Sequence, residues 1–288
     1  KQRKRLYAAL LCSSMVLSLV STPVSAAETE QMLNPQTSTE GPGSPESASG
    51  NEAAAVLNGL SVLVANGEAE VTTAEELTAA LENNANDTVK LLANITINTT
   101  LTINRTVTLD LNGNVLEMTG SGSVIKVASG GNLTIQDSNI STPHKFTPGG
   151  DGLWVLDASG SEIVNGGIIT GGTGMPPGLN YSEGGGVYVS AGAALTMNGG
   201  SIVGCKAGSG VGGGGGGGVY IDYDYTTQKT SEFIMNGGSI VGCKAGSGGG
   251  VLIRSGCRFT MNSGSEIRCC TAKNGGGVSI SASPSLSG

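Results

Sequence analysis

From Thr88 the chain alternates apolar and polar residues in short runs. In TVKLLANITINTTLTINRTVTLDLNGNVLEMTG, three sets of residues each point one way: Ile95 with Ile97, Leu101 with Ile103, and Val107 with Leu109 and Leu111. A period of two places alternate side chains on opposite faces, so each run predicts a strand buried on one side. Asn112-Gly113 is a strong turn signal. SVIKVASGGNLTIQD repeats the theme, with Val124 to Val127, a Gly130-Gly131 turn, then Leu133 and Ile135.

The second half states the unit openly. MNGGSIVGCKAGSG occupies Met197 to Gly210 and returns unchanged at Met235 to Gly248, 38 residues later. GGGVYV, GGGVYI, GGGVLI and GGGVSI begin at Gly184, Gly216, Gly248 and Gly275, at spacings of 32, 32 and 27 residues. Inserts account for the longer units: VGGGG before Gly216 and DYDYTTQKTS after Ile221. Three short strands joined by glycine turns are one coil of a solenoid, with parallel strands about 4.8 Å apart. Stacked coils should align Val187, Val219, Val251 and Val278 as an interior column, each contributing about 1.5–3 kcal/mol when buried. Asn198, Asn236 and Asn262 should form a ladder at one corner, because Asn tolerates the left-handed backbone a corner demands.

VTTAEELTAALENN, from Val71, has the 3.6-residue period instead. Thr73 with Glu76 makes a capping box, and Leu77, Ala80 and Leu81 share a face. A helix of this length is a lid for the raw end of a solenoid, whose core and strand edges need cover. The predicted organisation is a signal peptide over 1–26, a disordered spacer over 27–69, a cap helix segment over 70–87 and β-helix repeats over 88–288. The signal rests on basic Lys1, Arg3, Lys4 and Arg5, the apolar stretch Leu6–Val20 and the cleavage-like Val24-Ser25-Ala26. The spacer rests on the Ser, Thr, Pro and Glu content of TSTEGPGSPESASGNE. No cover like the helix follows GGGVSI, so the last coils are expected to be missing.

Composition supports the solenoid: 49 glycines among 288 residues and 13% charged residues, against about a quarter charged in ordinary domains. Four of the fifteen basic residues and no acid lie in the signal, leaving eleven basic against twenty-two acidic residues, a formal −11. Such a surface repels nucleic acid and anionic membranes. The five cysteines after the signal cannot all pair within one molecule. Neither CxxC nor GGxGxD occurs, and the glycine run Gly212 to Gly218 lacks the Lys of a phosphate loop, so no cofactor or metal is expected.

VTTAEELTAALENNANDTVKLLANITI…LTINRTVTLDLNG resembles the N-terminal cap and first coils of right-handed parallel β-helix proteins of the pectin-lyase-like superfamily. The GGGVYV…LTMNGGSIVGC units resemble repeats of bacterial cell-surface proteins with that fold. Phe233–Asn236 and Phe259–Asn262 are similar to the F-x-x-N repeats of polymorphic outer-membrane adhesins, whose GGA-I element is GGGV here. The resemblance spans about residues 70–288. It implies an all-β right-handed parallel β-helix with a short N-terminal capping α-helix, and functions from adhesin to polysaccharide lyase or glycosidase.

Candidate chemistry concentrates in two places. HKFTPGGDGLWVLDASGSE holds the only His and Trp of the chain with Asp151, Asp157 and Glu162. Trp154 there could stack on a sugar, while the plainer reading is a long loop with Asp-Gly turns. The insert IDYDYTTQ holds Asp222, Tyr223, Asp224 and Tyr225, with Tyr220 just before it; alternating aromatic and acidic residues suit carbohydrate or protein contact, while the plainer reading is a strand extended past the coil. Asp110 beside Asn112-Gly113 reads as a turn cap. Aligned Cys205, Cys243 and Cys269 or Cys270 read as small apolar packing residues. The expected function is a non-catalytic secreted or cell-surface β-helix acting as adhesin or stalk, with a host or cell-wall glycan or protein as partner. The alternative is a secreted polysaccharide lyase or glycoside hydrolase.

Overall fold

The computed structural model describes residues 64–65, 67–174, 183–208 and 214–281. These residues all fall in the unit Ala55–Gly288. The signal, most of the spacer and part of the glycine run lie outside the described residues. Three mostly parallel sheets wind around one core. The first takes Val64–Ala65, Glu68–Val71, Thr88–Leu91, Thr106–Asp110, Asn132–Gln136, Ala194–Met197, Glu232–Met235 and Arg258–Met261. The second takes Ile95–Ile97, Val115–Met118, Ile168–Thr170, Ser201–Val203, Gly238–Val241 and Ser265–Arg268. The third takes Leu101–Ile103, Ile125–Val127, Val187–Val189, Val219–Ile221, Val251–Arg254 and Val278–Ser281. Only the opening pair, Val64–Ala65 with Glu68–Val71, is antiparallel within them. The ordered sheet therefore starts inside the segment expected to be spacer.

The predicted interior column is present. Val187, Val219, Val251 and Val278 pair in register, and the first three are fully buried. Over their described residues the two copies of the repeated phrase pair in register, Ser201 on Ser239 and Val203 on Val241. Phe233 stacks on Phe259 inside, with ring centroids 5.1 Å apart. The asparagine ladder also forms, for a different reason than expected. Asn262 Nδ2 donates to Asn236 Oδ1 at 2.7 Å, and Asn236 Nδ2 donates to Asn198 Oδ1 at 2.9 Å. None of the three has a positive φ. Gly200, Gly238 and Gly264 take that conformation, at φ 73°, 77° and 88°, so glycine turns the corner and asparagine ties the coils together.

The helix Ala74–Glu82 starts at the N-cap Thr73, and both halves of its capping box are made. Leu77, Ala80 and Leu81 are buried in the same cluster as the coil interior. The helix packs against Glu68–Val71, Thr88–Leu91, Ile95–Ile97 and Leu101–Ile103, touching all three sheets as a lid must. Its C-terminal carbonyls have an unforeseen partner. Arg105, from the next coil, donates to the carbonyls of Leu81 at 2.8 Å, Asn86 at 2.7 Å and Ala80 at 3.2 Å. A cation there satisfies unpaired acceptors and opposes the helix dipole.

His144 to Glu162, expected as a long loop, is built differently. Trp154–Leu156, Pro143–Pro148 and Glu162–Asn165 form an antiparallel sheet in that spatial order. Its inward residues Phe146, Trp154 and Val164 bury themselves against Val115, Ile168, Val203 and Val241 on the outer side of the second sheet. The repeated phrase supplies Val203 and Val241, so the outer face of those coils is apolar and needs this flap.

Candidate functional site

The tyrosine-rich insert leaves the third sheet just after Val219–Ile221 and folds back on itself. Asp224 and Lys229 bridge antiparallel, and Asp224 accepts the Thr226 and Thr227 N–H groups at 2.8 and 3.2 Å. The insert is a tight turn rather than an extended strand. Asp224 is thereby spent on turn chemistry, and hydrogen bonds led by that from the Thr227 hydroxyl hold its carboxyl below the usual range.

Around the insert, one stack runs across four coils. Tyr188 pairs in register with Lys126 on one side and with Tyr220 on the other. Lys126 Nζ lies 5.0 Å from the Tyr188 ring, the two tyrosine rings stack at 5.6 Å, and the Arg254 guanidinium lies 6.0 Å from Tyr220. Lys126 also bonds Glu183 at 3.1 Å. The cation–aromatic–aromatic–cation order uses both faces of both rings. Asp222 accepts from Tyr188 Oη at 2.6 Å, Tyr220 Oη at 3.2 Å and the Tyr223 N–H at 2.9 Å. Burial first, and then the Asp222 charge, push both phenols well above their ordinary value.

The six residues singled out from sequence therefore divide. Tyr220, at 6% exposure, and Asp222 are parts of the stack. Tyr223 packs its ring over Gly256 and meets Tyr225 edge-on at 4.8 Å. Tyr225 is 41% exposed, with Arg254 6.0 Å from its ring. Tyr225, the Tyr223 edge and Arg254 are the accessible part. Trp154 is corrected: at 5% exposure its ring is clamped between Gly242 and the Arg268 guanidinium, 5.3 Å away, which leaves no face for a sugar. It holds the flap to the coils. Tyr188 and Arg254 were missed. The signal for Tyr188 was its position in GGGVYV, identical to that of Tyr220 in GGGVYI.

Two of the three flap carboxylates, Asp151 and Asp157, are likewise engaged, while Glu162 is exposed on its strand. Asp151 bonds Lys244 Nζ at 2.8 Å and the Leu153 N–H at 3.2 Å. Asp157 accepts from Thr147 Oγ1 and Ser159. His144 Nε2 sits 3.0 Å from the Gly113 carbonyl. Asp110 caps its corner through the Asn112 and Ser138 N–H groups, both at 2.9 Å. Asp137, unnoticed in the sequence, bridges coils through Gly113 N and Gly167 N, both at 2.7 Å. The cysteine column is Cys205, Cys243 and Cys270; Cys269 sits outside it with φ 55°. The column thiols point at backbone carbonyls, and burial pushes the Cys243 thiol up. Among the described residues no group of three metal-ligating side chains converges.

Residues 68–165 match the sequence model of a family described as a pectate lyase-like adhesive domain. No curated protein and no solved structure matches the chain. The match and the parallel sheets together fit a parallel β-helix protein of the pectin-lyase-like, adhesin type. The adhesive-domain family suggests a surface or secreted protein. No helix among the described residues is long and apolar enough to cross a membrane.

Proposed function

We propose that this chain is exported and serves as a non-catalytic adhesive β-helix that presents the Tyr223–Tyr225–Arg254 surface to a partner. The observation that carries the reading is how the carboxylates are used. Asp110, Asp137, Asp151 and Asp157 each accept backbone N–H groups at turns, or tie one coil to another. A general acid and base pair needs carboxyls aimed at a shared open cleft. Here Asp110 and Asp137 hold coil corners, and Asp151 and Asp157 hold turns of the flap. The adhesive-domain match over the cap and first coils points the same way. Glycan and host-protein arrays probed with the purified chain test the reading. A specific hit that disappears when Tyr223 and Tyr225 become Ser supports it. Hits unchanged by that double substitution would move the contact elsewhere on the coil surface.

A further inference from the structure

Asparagine two residues before serine or threonine is the acceptor pattern for N-linked glycan on exported chains. Among the described residues this spacing occurs at Asn86, Asn94, Asn98, Asn104, Asn132 and Asn139. The fold occupies the first five. Asn86 is buried with its amide on the Ala80 carbonyl at 3.0 Å, and Asn94 Oδ1 accepts the Val115 N–H at 2.9 Å. The Thr100 hydroxyl that belongs with Asn98 donates to the Ser123 carbonyl at 2.7 Å. After Asn104 comes Arg105, whose guanidinium holds the cap helix. After Asn132 comes Leu133, fully buried in its strand. Of the six, Asn139 alone has itself and both following residues, Ile140 and Ser141, exposed. They lie between the strands Asn132–Gln136 and Pro143–Pro148, and Ile140 is 71% exposed, so packing does not account for its place there.

Asn139 is also the one site of the six with an acid two positions before it, Asp137. In extended backbone alternate side chains share a face, so Asp137, Asn139 and Ser141 line up as carboxylate, amide and hydroxyl. A transferase that grips an extended acceptor can hold the carboxylate on a cation and the hydroxyl by a hydrogen bond, and reach the amide between them. In the folded chain that carboxylate is not free. Its Oδ1 accepts the Gly113 N–H at 2.7 Å and the Asn139 N–H at 3.3 Å, and its Oδ2 accepts the Gly167 N–H at 2.7 Å. The three groups are available together only before this corner closes. Afterwards Asn139 stays exposed, where a bulky glycan is accommodated.

Resting on the export reading above, we infer that Asn139 is a site of N-linked glycosylation, receiving an oligosaccharide from a polyprenyl-pyrophosphate carrier while the chain is being exported. Asn139 Nδ2 forms the bond to the anomeric carbon of the first sugar. The bond from that carbon to the pyrophosphate oxygen breaks, polyprenyl pyrophosphate leaves, and the amide proton passes to a carboxylate of the transferase. The test is peptide mapping by mass spectrometry of the full chain recovered from the envelope and medium of the cells that make it. Glycan on Asn139, with the other five asparagines bare, is expected. Asn139→Gln and Ser141→Ala should each abolish it, and Asn132→Gln should leave it unchanged. Timing is read with purified transferase and carrier, comparing the folded chain with Leu109→Asp, whose buried charge keeps the coils from closing. The folded chain should be modified about tenfold more slowly, since its corner must first open. In the Leu109→Asp background Asp137 holds no coil, so a loss of glycan in Asp137→Asn reports recognition and not folding. An exported chain with Asn139 bare would overturn the inference and leave the export reading standing. A chain retained inside the cell would overturn both. Glycan spread evenly over the six asparagines, or undiminished in Asp137→Asn, would also overturn the inference.

Discussion

Asn236 illustrates how single side chains hold this molecule together. Its amide gives one hydrogen bond and receives another, at 2.9 and 2.7 Å, to residues 38 and 26 positions away. Net contributions of about 1 kcal/mol per bond predict that Asn236→Ala lowers stability by about 1–2 kcal/mol in denaturant unfolding. The phenols of Tyr188 and Tyr220 make a second prediction. Their folded-state pKa lies above the ordinary value near 10, so the protons they hold favour the folded state. That stability is complete below about pH 10 and is lost as the pH rises beyond it. An alkaline ultraviolet titration of the chain, which has six tyrosines, should show two phenols that ionise only with unfolding. In Tyr188→Phe, one of the two should be gone. Residues of this kind were half legible in the sequence. The spacing of Asn198, Asn236 and Asn262 announced a ladder, but its amide chemistry required knowing that glycine, two positions on, makes the turn.

At the scale of elements, the cap helix was the most legible, because capping and periodicity are both local signals. Thr73, Glu76 and the Leu77 face all behave as their spacing demands. What the helix could not announce was Arg105, twenty-odd residues on, whose guanidinium closes its C-terminal end. Hydrogen bonds from a charged donor contribute more than neutral ones, so Arg105→Met should cost about 2–4 kcal/mol. Hydrogen exchange should accelerate first at the helix amides. The flap was the least legible element. Its strands pack on the outside of a sheet, and Phe146, Trp154 and Val164 read as an irregular loop until Val203 and Val241 are known to face them. Trp154→Ala should cost about 3–5 kcal/mol by the usual penalty for emptying an aromatic site. Near-ultraviolet circular dichroism should lose the Trp154 signal, while the parallel coils keep their far-ultraviolet signature.

Over the whole chain, repetition determines both the architecture and the distribution of chemistry. Coils in register turn every repeated residue into a column: valine and phenylalanine inside, cysteine at a buried corner, asparagine outside, and tyrosine on the third sheet. The fold was readable from the sequence because each column repeats its own signal. The accessible site was less readable because it lies where the repeat is broken, in the insert after Ile221 and at Arg254, where neighbouring coils carry other residues. A binding scaffold needs such breaks, since a perfect repeat presents no unique spot. The claim that this is a binding and not a processing protein is most directly tested by mass spectrometry of glycans, pectin included, after prolonged incubation with the purified chain. Unaltered glycans are predicted, with any bound fraction recovered intact. New chain ends that vanish with Asp151→Ala or Asp157→Ala would contradict it and make the flap a catalytic element.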